Sequence, residues 1–537
     1  MIERLKNRLL FLLVAQLCAT VAFAADTEVS APSDTLEFWS MDNGVGSQRA
    51  LRKLVKKFQR ETGITVVVRT LGWGEGFETI SKALSSADAP SSANASSDSS
   101  VRIPDILQLG STWVPHFASQ GMIREIDSVI EQMDSTRFYS EAFRAGHVGD
   151  GPKVYSFPWF LDVRALFANE WLWHSLEIQE SDVETFPKFV GTLRAINSGN
   201  LKNSEMHHVA AFALPGKDDW TGPQQMSPYI WSAGGDFVVK RDGGYRSFLL
   251  DSTTLSGIAM YVKILGDANL SPNGLQENSE QIAARFANSE LLMHYGTSDL
   301  IRLLEYPEKA GGLKSSAIAD DGILIVPYSG SVNAQFTFVG GSHLAFPVLA
   351  DSSRRASAER LLFYLLRSDN IDVFCRAVGF IPSDRGLIRI WMQDRRYSQL
   401  IKNLENGKSF PNIPEWGTVE NVLIKMCNDI GTVLSNTNDA IKRRQEVADI
   451  LIAADKKINE VLGYVAKADA QALKPWIESV LSAEVPEITP GNLRFNLQAS
   501  PFPVWRVAAT VAGLLLLGLI YCCVRLVTRL VRDRNAR

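Results

Sequence analysis

Two periodicities alternate along most of the chain. Residues 36–40, LEFWS, read as a strand; Leu51, Leu54, Val55 and Phe58 then fall at i, i+3, i+4 and i+7, one face of a helix closed by Thr62 and Gly63. The β-branched run ITVVVRT, residues 64–70, is a second strand. Strand, helix and strand in so short a span make a βαβ unit, which requires parallel strands. PDILQLG, residues 104–110, predicts the next buried strand. Helical and strand patterns go on alternating to about residue 380, and beyond that point helical spacing dominates. Across residues 439–462, Val447, Leu451, Ala454, Ile458 and Val461 hold one stripe of a long amphipathic helix.

Other stretches carry neither period. Residues 85–100, SSADAPSSANASSDSS, have too little apolar surface to pack and read as a surface insertion. Pro475, Pro486, Pro490, Pro501 and Pro503 mark residues 466–505 as a connector rather than a further domain.

Both ends carry membrane signals. Arg4, Lys6 and Arg8 precede an uncharged stretch, and Ala22-Phe23-Ala24 gives a small-x-small cleavage pattern, so residues 1–24 read as an export signal. Residues 507–524 contain no charge and stand between Arg506 and Arg525. At about 1.5 Å per residue such a run reaches roughly 27 Å, enough to span hydrocarbon as a transmembrane helix over 506–525. The tail 526–537 is rich in arginine, which places it in the cytoplasm of a single-pass protein and the large section outside the cytoplasmic membrane.

At 537 residues and 46% hydrophobic, the chain has material for more than one core. A net charge of -4, with Lys and Arg dispersed, offers no footprint for nucleic acid. Cys18 lies in the export signal and Cys522 and Cys523 in the apolar run, leaving Cys375 and Cys427, whose spacing does not decide whether they pair. The Asp42-Asn43-Gly44-Val45-Gly46-Ser47 turn lacks the third glycine of a dinucleotide fingerprint; it reads as a tight turn whose backbone amides meet a polar ligand at a helix start. Hydrolase elbows, HExxH and CxxC are absent from the sequence, and the adjacent His207 and His208 point apart on a strand, so neither catalysis nor a metal is indicated.

FPWFLDVRALF, residues 157–167, sets one carboxylate and one guanidinium in an apolar run. In a strand Asp162 and Arg164 share a face. They are either a surface ion pair or two groups aimed at a ligand. Trp39, Trp73, Trp113, Trp159, Trp220, Tyr229, Trp231 and Tyr295 recur at strand ends or in the loops that follow, where α/β sheets bind ligands. Trp171 and Trp173 read as core. Aromatic plates suit the C–H face of a sugar ring, while carboxylates and guanidiniums bond its hydroxyls.

Several stretches together resemble the extracellular solute-binding proteins of ABC sugar importers, the group of the maltose-binding protein. They are LEFWSMDNG with GITVVVRT, PDILQLGSTWVPHFASQGMIREID, VYSFPWFLDVRALFANEWLW, RFANSELLMHYGTSDL, IVPYSGSVNAQFTFVGGSHLAF and FCRAVGFIPSDRGL, over roughly residues 35–465. The resemblance implies a two-lobed α/β periplasmic-binding-protein fold of type II with a hinge, no cofactor, no metal and no reaction. It assigns 35–161 and 328–380 to one lobe and 162–327 and 381–465 to the other, with crossings near 161–163, 325–328 and 379–383. It places Asp162 in the cleft on sugar hydroxyls, with Arg164 orienting or pairing with it. Gly340, Gly341 and Ser342 match a glycine pair that lets backbone approach ligand, and Trp113, Trp159, Tyr229 and Trp231 match aromatic platforms loosely. Thr297 and Ser298 stand where relatives have an aromatic pair. The function expected is capture of a sugar or oligosaccharide for an ABC permease; a sensor signalling through a membrane partner is the second reading, and an anchored glycoside hydrolase the third.

Overall fold

The computed structural model describes residues 35–44, 46–87, 103–203, 207–326, 335–348, 352–465, 469–484 and 487–495. Most of the Ser/Ala-rich stretch, the export signal and the apolar run 507–524 lie outside these residues. Among the described residues no helix is long and apolar enough to cross a membrane.

The opening βαβ unit forms as its periodicity requires. β1 (Thr35–Met41) pairs in parallel with β2 (Thr65–Leu71) across α1 (Ser47–Thr62), which buries Leu51, Leu54, Val55 and Phe58. Gly63 ends the helix in the left-handed conformation at φ 75°, its N–H returning to the Gln59 carbonyl, a position that favours glycine. The helix α2 (Trp73–Ala87) follows β2, and β3 (Ile106–Gly110) then joins β1 in parallel.

The long central sheet mixes directions. β4 (Ser156–Val163), β10 (Thr337–Ala345), β11 (Ile381–Pro382) and β12 (Gly407–Lys408) complete it in the order β11-β4-β10-β3-β1-β2, with β12 also on β10. β10 runs antiparallel to both β3 and β4. A second sheet, β8-β5-β9, comprises β5 (Ala165–Asn169), β8 (Met293–Gly296) and β9 (Ile323–Val326), and a hairpin of β6 (Val238–Arg241) and β7 (Gly244–Ser247) stands apart. The seven-stranded sheet forms the first lobe and the three-stranded sheet the second.

The chain passes between sheets at Arg164, the residue between β4 and β5, and again between β9 and β10. The third return comes later than residues 379–383. β11 pairs with β4, and the helices α11 (Arg385–Trp391) and α12 (Arg395–Lys402) bury Leu387, Ile388, Trp391, Leu400 and Ile401 in the first lobe's core. Asp384 caps α11 through the amides of Gly386 and Leu387, and Arg137 donates to its carboxylate at 2.7 Å, so a partly buried ion pair helps hold this segment to the first lobe. The chain leaves the first lobe at β12 and enters α13 (Trp416–Asn436).

The second lobe is built on α4 (Phe186–Ser198), α5 (Gly222–Ser232), α6 (Ser252–Gly266) and α7 (Ser279–Ala287), with α13 and α14 (Ala440–Val461) beside them. Asp439 caps α14, and Val447, Leu451, Ala454 and Ile458 are buried, the stripe that the spacing predicts. The connector is more than a spacer: α15 (Lys474–Ser482) lies against α6 and α14 and buries Ile477 completely. Cys375 and Cys427 are free and buried in different cores, which excludes a bridge between them.

Candidate functional site

A cleft of about 530 Å³ opens between the lobes. From the first lobe come the loop after β1 (Asp42, Asn43, Gly44), the start of α2 (Trp73, Phe77), the loop after β3 (Ser111, Thr112, Trp113) and, on β4 and β10, Asp162 and Gly340. From the second come Trp220, Gln224 and Gln225 near the start of α5, His294 to Thr297 on and after β8, Asp299, and Glu420 on α13.

Both charges in the apolar run reach this cleft. They do not pair with each other. Arg164, 5% exposed, sits at the crossing between sheets, and its Nη2 donates to the Gln224 side-chain oxygen at 2.7 Å while its Nε has no partner. Asp162 keeps a buried Oδ1 without a partner. Burial pushes the Asp162 carboxyl up to about 6; nearby Arg164 offsets part of that rise and Asp299 adds to it. Asp299 is likewise raised by burial, against a bond from the Thr297 hydroxyl. Glu420 is pushed up to about 7 by burial, with Gln224 and Thr112 partly offsetting. His294 is held down to about 4 by burial and by the positive charge of Arg164. The cleft therefore gathers three desolvated carboxyls around one guanidinium, a set suited to accepting hydrogen bonds from uncharged hydroxyls.

The tryptophans divide into two groups. Trp73 and Trp113 line the cleft as an edge-to-face pair with ring centroids 5.3 Å apart, Phe77 packs on Trp113 at 5.5 Å, and Trp220, 47% exposed, stands at the rim. Tyr295 lines it with its ring while its hydroxyl bonds the Thr337 hydroxyl at 3.0 Å. Trp39, Trp159, Tyr229 and Trp231 are corrected to core residues, each no more than 1% exposed. The alternation of a strand explains the first two: Trp39 turns to the sheet face opposite Phe38, with Arg69 over its ring at 4.6 Å, and Trp159 stacks on Phe374 at 4.1 Å. Tyr229 stacks on Phe186, and Trp231 packs on Phe410, inside the second lobe.

Gly340, Gly341 and Ser342 do line the cleft, yet the second glycine has another cause than approach to a ligand. A Cβ on Gly341 would lie 2.5 Å from the Phe160 carbonyl oxygen of β4. Ser342 accepts from Gln108, and Gln108 also exchanges bonds with Asn43, so one buried amide on β3 ties β10 to the loop after β1. That loop precedes α1, and its Gly44 faces Asp299 of the opposite lobe.

Glu420, Asp299, His294 and Gln224 escape a reading by motif. Gly417, Glu420, Asn421 and Ile424 nevertheless fall at i, i+3, i+4 and i+7 and form the face of α13 that lines the cleft, a spacing visible in the sequence. Among the described residues no group of three His, Cys, Asp or Glu side chains is placed to hold a metal.

The family model described as bacterial extracellular solute-binding protein matches residues 43–366. The chain belongs to this family. Its members are solute-binding proteins, not enzymes. Solved structures share the fold: maltose-bound MalE3 of T. maritima (14% identity, TM-score 0.64), covering 80% of this chain and 100% of its own, and a solute-binding protein of Thermotoga lettingae bound with α-D-tagatose (16%, 0.63; 80% and 100%). The GacH receptor of Streptomyces glaucescens, solved unliganded and with acarbose, matches at 15% identity and TM-score 0.60, covering 80% of this solute-binding protein and 99% of its own chain. No curated protein matches the sequence.

Proposed function

We propose that this solute-binding protein captures an uncharged carbohydrate, a sugar, an oligosaccharide or a related polyol, between its two lobes and presents it to an ABC importer in the cytoplasmic membrane. The observation that carries the proposal is the pairing, across one cleft, of the Trp73, Phe77 and Trp113 cluster with the desolvated set Asp162, Arg164, Asp299 and Glu420. Rings of the first kind shed water against apolar C–H surfaces, and acceptors of the second kind bond hydroxyls in a site that excludes solvent. Fold relatives were solved with maltose, tagatose and ribitol. Asp162, Arg164, Trp73, Trp113, Tyr295 and Gly340 are proposed as ligand contacts.

The export signal and the apolar run 507–524 support a chain held at the outer face of the membrane by a single C-terminal anchor. Tethering keeps the loaded form at high local concentration beside its permease. The same anchor leaves room for a second use, in which the head reports occupancy through it to a membrane partner. A thermal-shift screen against mono-, di- and oligosaccharides and polyols tests the ligand class. A concentration-dependent rise in melting temperature with at least one of them is expected, and a flat response across the panel overturns the proposal.

A further inference from the structure

The second lobe carries a feature on its far side that ligand capture does not use. Residues 487–495 run across α4 and the turn before it as a strap. Ile488 donates its N–H to the Pro187 carbonyl at 3.0 Å and Arg494 donates its N–H to the Leu176 carbonyl at 3.1 Å, so both ends are fixed by backbone. Between them Asn492 donates to the Glu177 carbonyl at 2.8 Å. Arg194 on α4 grips Glu487 with two bonds, 2.7 and 2.9 Å, while also donating to Asp267 at 3.1 Å. Arg494 pairs with Glu177 at 2.9 Å.

The helix beneath is shaped for this contact. A Cβ on Gly191 would lie 2.3 Å from the Ile488 carbonyl oxygen, and one on Gly199 would lie 2.6 Å from the Phe495 ring. Glycine in or at the end of a helix costs stability of its own, so the strap's close approach gives these two positions a reason. Upstream, Ile477 of α15 is fully buried in the second lobe's core. Every described contact of residues 474–495 named here is with the second lobe.

We infer that the strap is a clamp holding the start of the chain that leads to the membrane on the second lobe, so that the second lobe is the platform nearer the anchor and the first lobe the moving jaw. The inference rests on the anchor assigned to residues 507–524 and goes beyond ligand capture. A flexible linker of this length would let both lobes tumble equally. Docked through its backbone at both ends, the strap instead makes the chain that leads to the membrane leave from one lobe alone.

Hydrogen exchange on the full chain tests the docking. The Ile488 and Arg494 amides are expected to exchange about 100-fold or more slower than unstructured amides. Gly191→Val should abolish that protection by steric overlap. Because Gly191 is buried, a second variant, Glu487→Lys with Asn492→Ala, changes only the strap and should do the same while the melting temperature of the lobes stays within a few degrees. For the platform, thiol dyes at Ser256→Cys on the second lobe and Gln393→Cys on the first, both exposed positions, report energy transfer to labelled lipid in nanodiscs. The second-lobe dye should give the narrower distance distribution, and the strap variant should make the two equally broad. Unprotected strap amides, or equal widths in the unaltered chain, overturn the inference. A chain that fails to enter nanodiscs sinks the anchor instead, and exchange in solution then still decides whether the strap is docked.

Discussion

The first lobe meets the cleft with Trp73, Phe77 and Trp113 on a floor of glycines, whereas the second meets it with Gln224, Gln225, His294, Asp299 and Glu420. Rings are concentrated in the first jaw and carboxyls in the second, although Trp220 and Tyr295 add rings to the second and Asn43, Ser111 and Thr112 polar groups to the first, with Asp162 and Arg164 at the crossing between them. The division follows from how each wall is made. First-lobe residues stand in loops after parallel strands and at the start of α2, where an indole can lie over an exposed backbone turn. Second-lobe residues come largely from helices, which present side chains at a fixed pitch and can hold carboxyls away from water. Ring preference should therefore reside mainly in the first lobe, and hydroxyl pattern and pH response in the crossing and the second lobe.

The largest expected effect separates core from cleft. Trp159→Ala should cost about 3–5 kcal/mol of stability, because the ring stacks on Phe374 in a filled core. Its ligand affinity at a temperature where it remains folded should be unchanged; a selective loss of binding would return Trp159 to the site. Next is the second lobe's buried acid. Glu420 holds its proton up to a pH of about 7 in the folded chain, against 4.5 in the unfolded one, so between those values the folded state binds more protons and stability falls as pH rises. Glu420→Gln removes that fall and should raise stability on the order of 3 kcal/mol at pH 8, with the gain vanishing at pH 4, measured by urea titration at both values. His294, held down to about 4, acts in the opposite direction below pH 6.5 and cancels in the comparison of the two proteins. An equal gain at both pH values would contradict a protonated Glu420.

Asp162→Ala should weaken carbohydrate binding by about 2–3 kcal/mol in calorimetry, since a desolvated acceptor is lost. Unaltered affinity would remove the crossing from the site. Because ligand hydroxyls favour the ionised carboxyl, affinity should also fall as pH drops through about 6, and the Asp162 part of this slope should be lost in Asp162→Asn, which makes the slope shallower than in the unaltered chain. The smallest effect is expected on the plates. Trp113→Ala should lose about 1–2 kcal/mol, more for an oligosaccharide than for a monosaccharide, and equal losses for both would place the ring outside the ligand's path.

The sequence shows the repeat of strand and helix plainly, because the stripe of α1 and the β-branched run of β2 obey their periods without interruption. It also singles out Asp162 and Arg164, for two charges in an apolar strand are conspicuous. It misleads on Trp39 and Trp159, since a strand places neighbours on opposite faces and nothing local says which face is the cleft, and on Tyr229 and Trp231, which lie on α5, a helix buried along its whole length. The late return to the second lobe is hidden for a related reason. The helices α11 and α12 are amphipathic like their neighbours, and what fixes them to the first lobe, the pairing of β11 with β4, the ion pair of Arg137 with Asp384 and burial in that lobe's core, joins residues far apart in the chain. Glu420 is legible only once α13 is known to face a cleft, because a carboxylate on an amphipathic helix ordinarily points to water.

The most direct measurement of the central claim is tryptophan emission during titration of the intact chain with a carbohydrate selected by thermal shift. Binding between the lobes predicts a saturable change that disappears when Trp73, Trp113 and Trp220 are replaced together by phenylalanine, while the buried indoles remain. A sugar that binds by calorimetry yet leaves emission unaltered, or gives the same change in the triple variant, would contradict capture in the cleft.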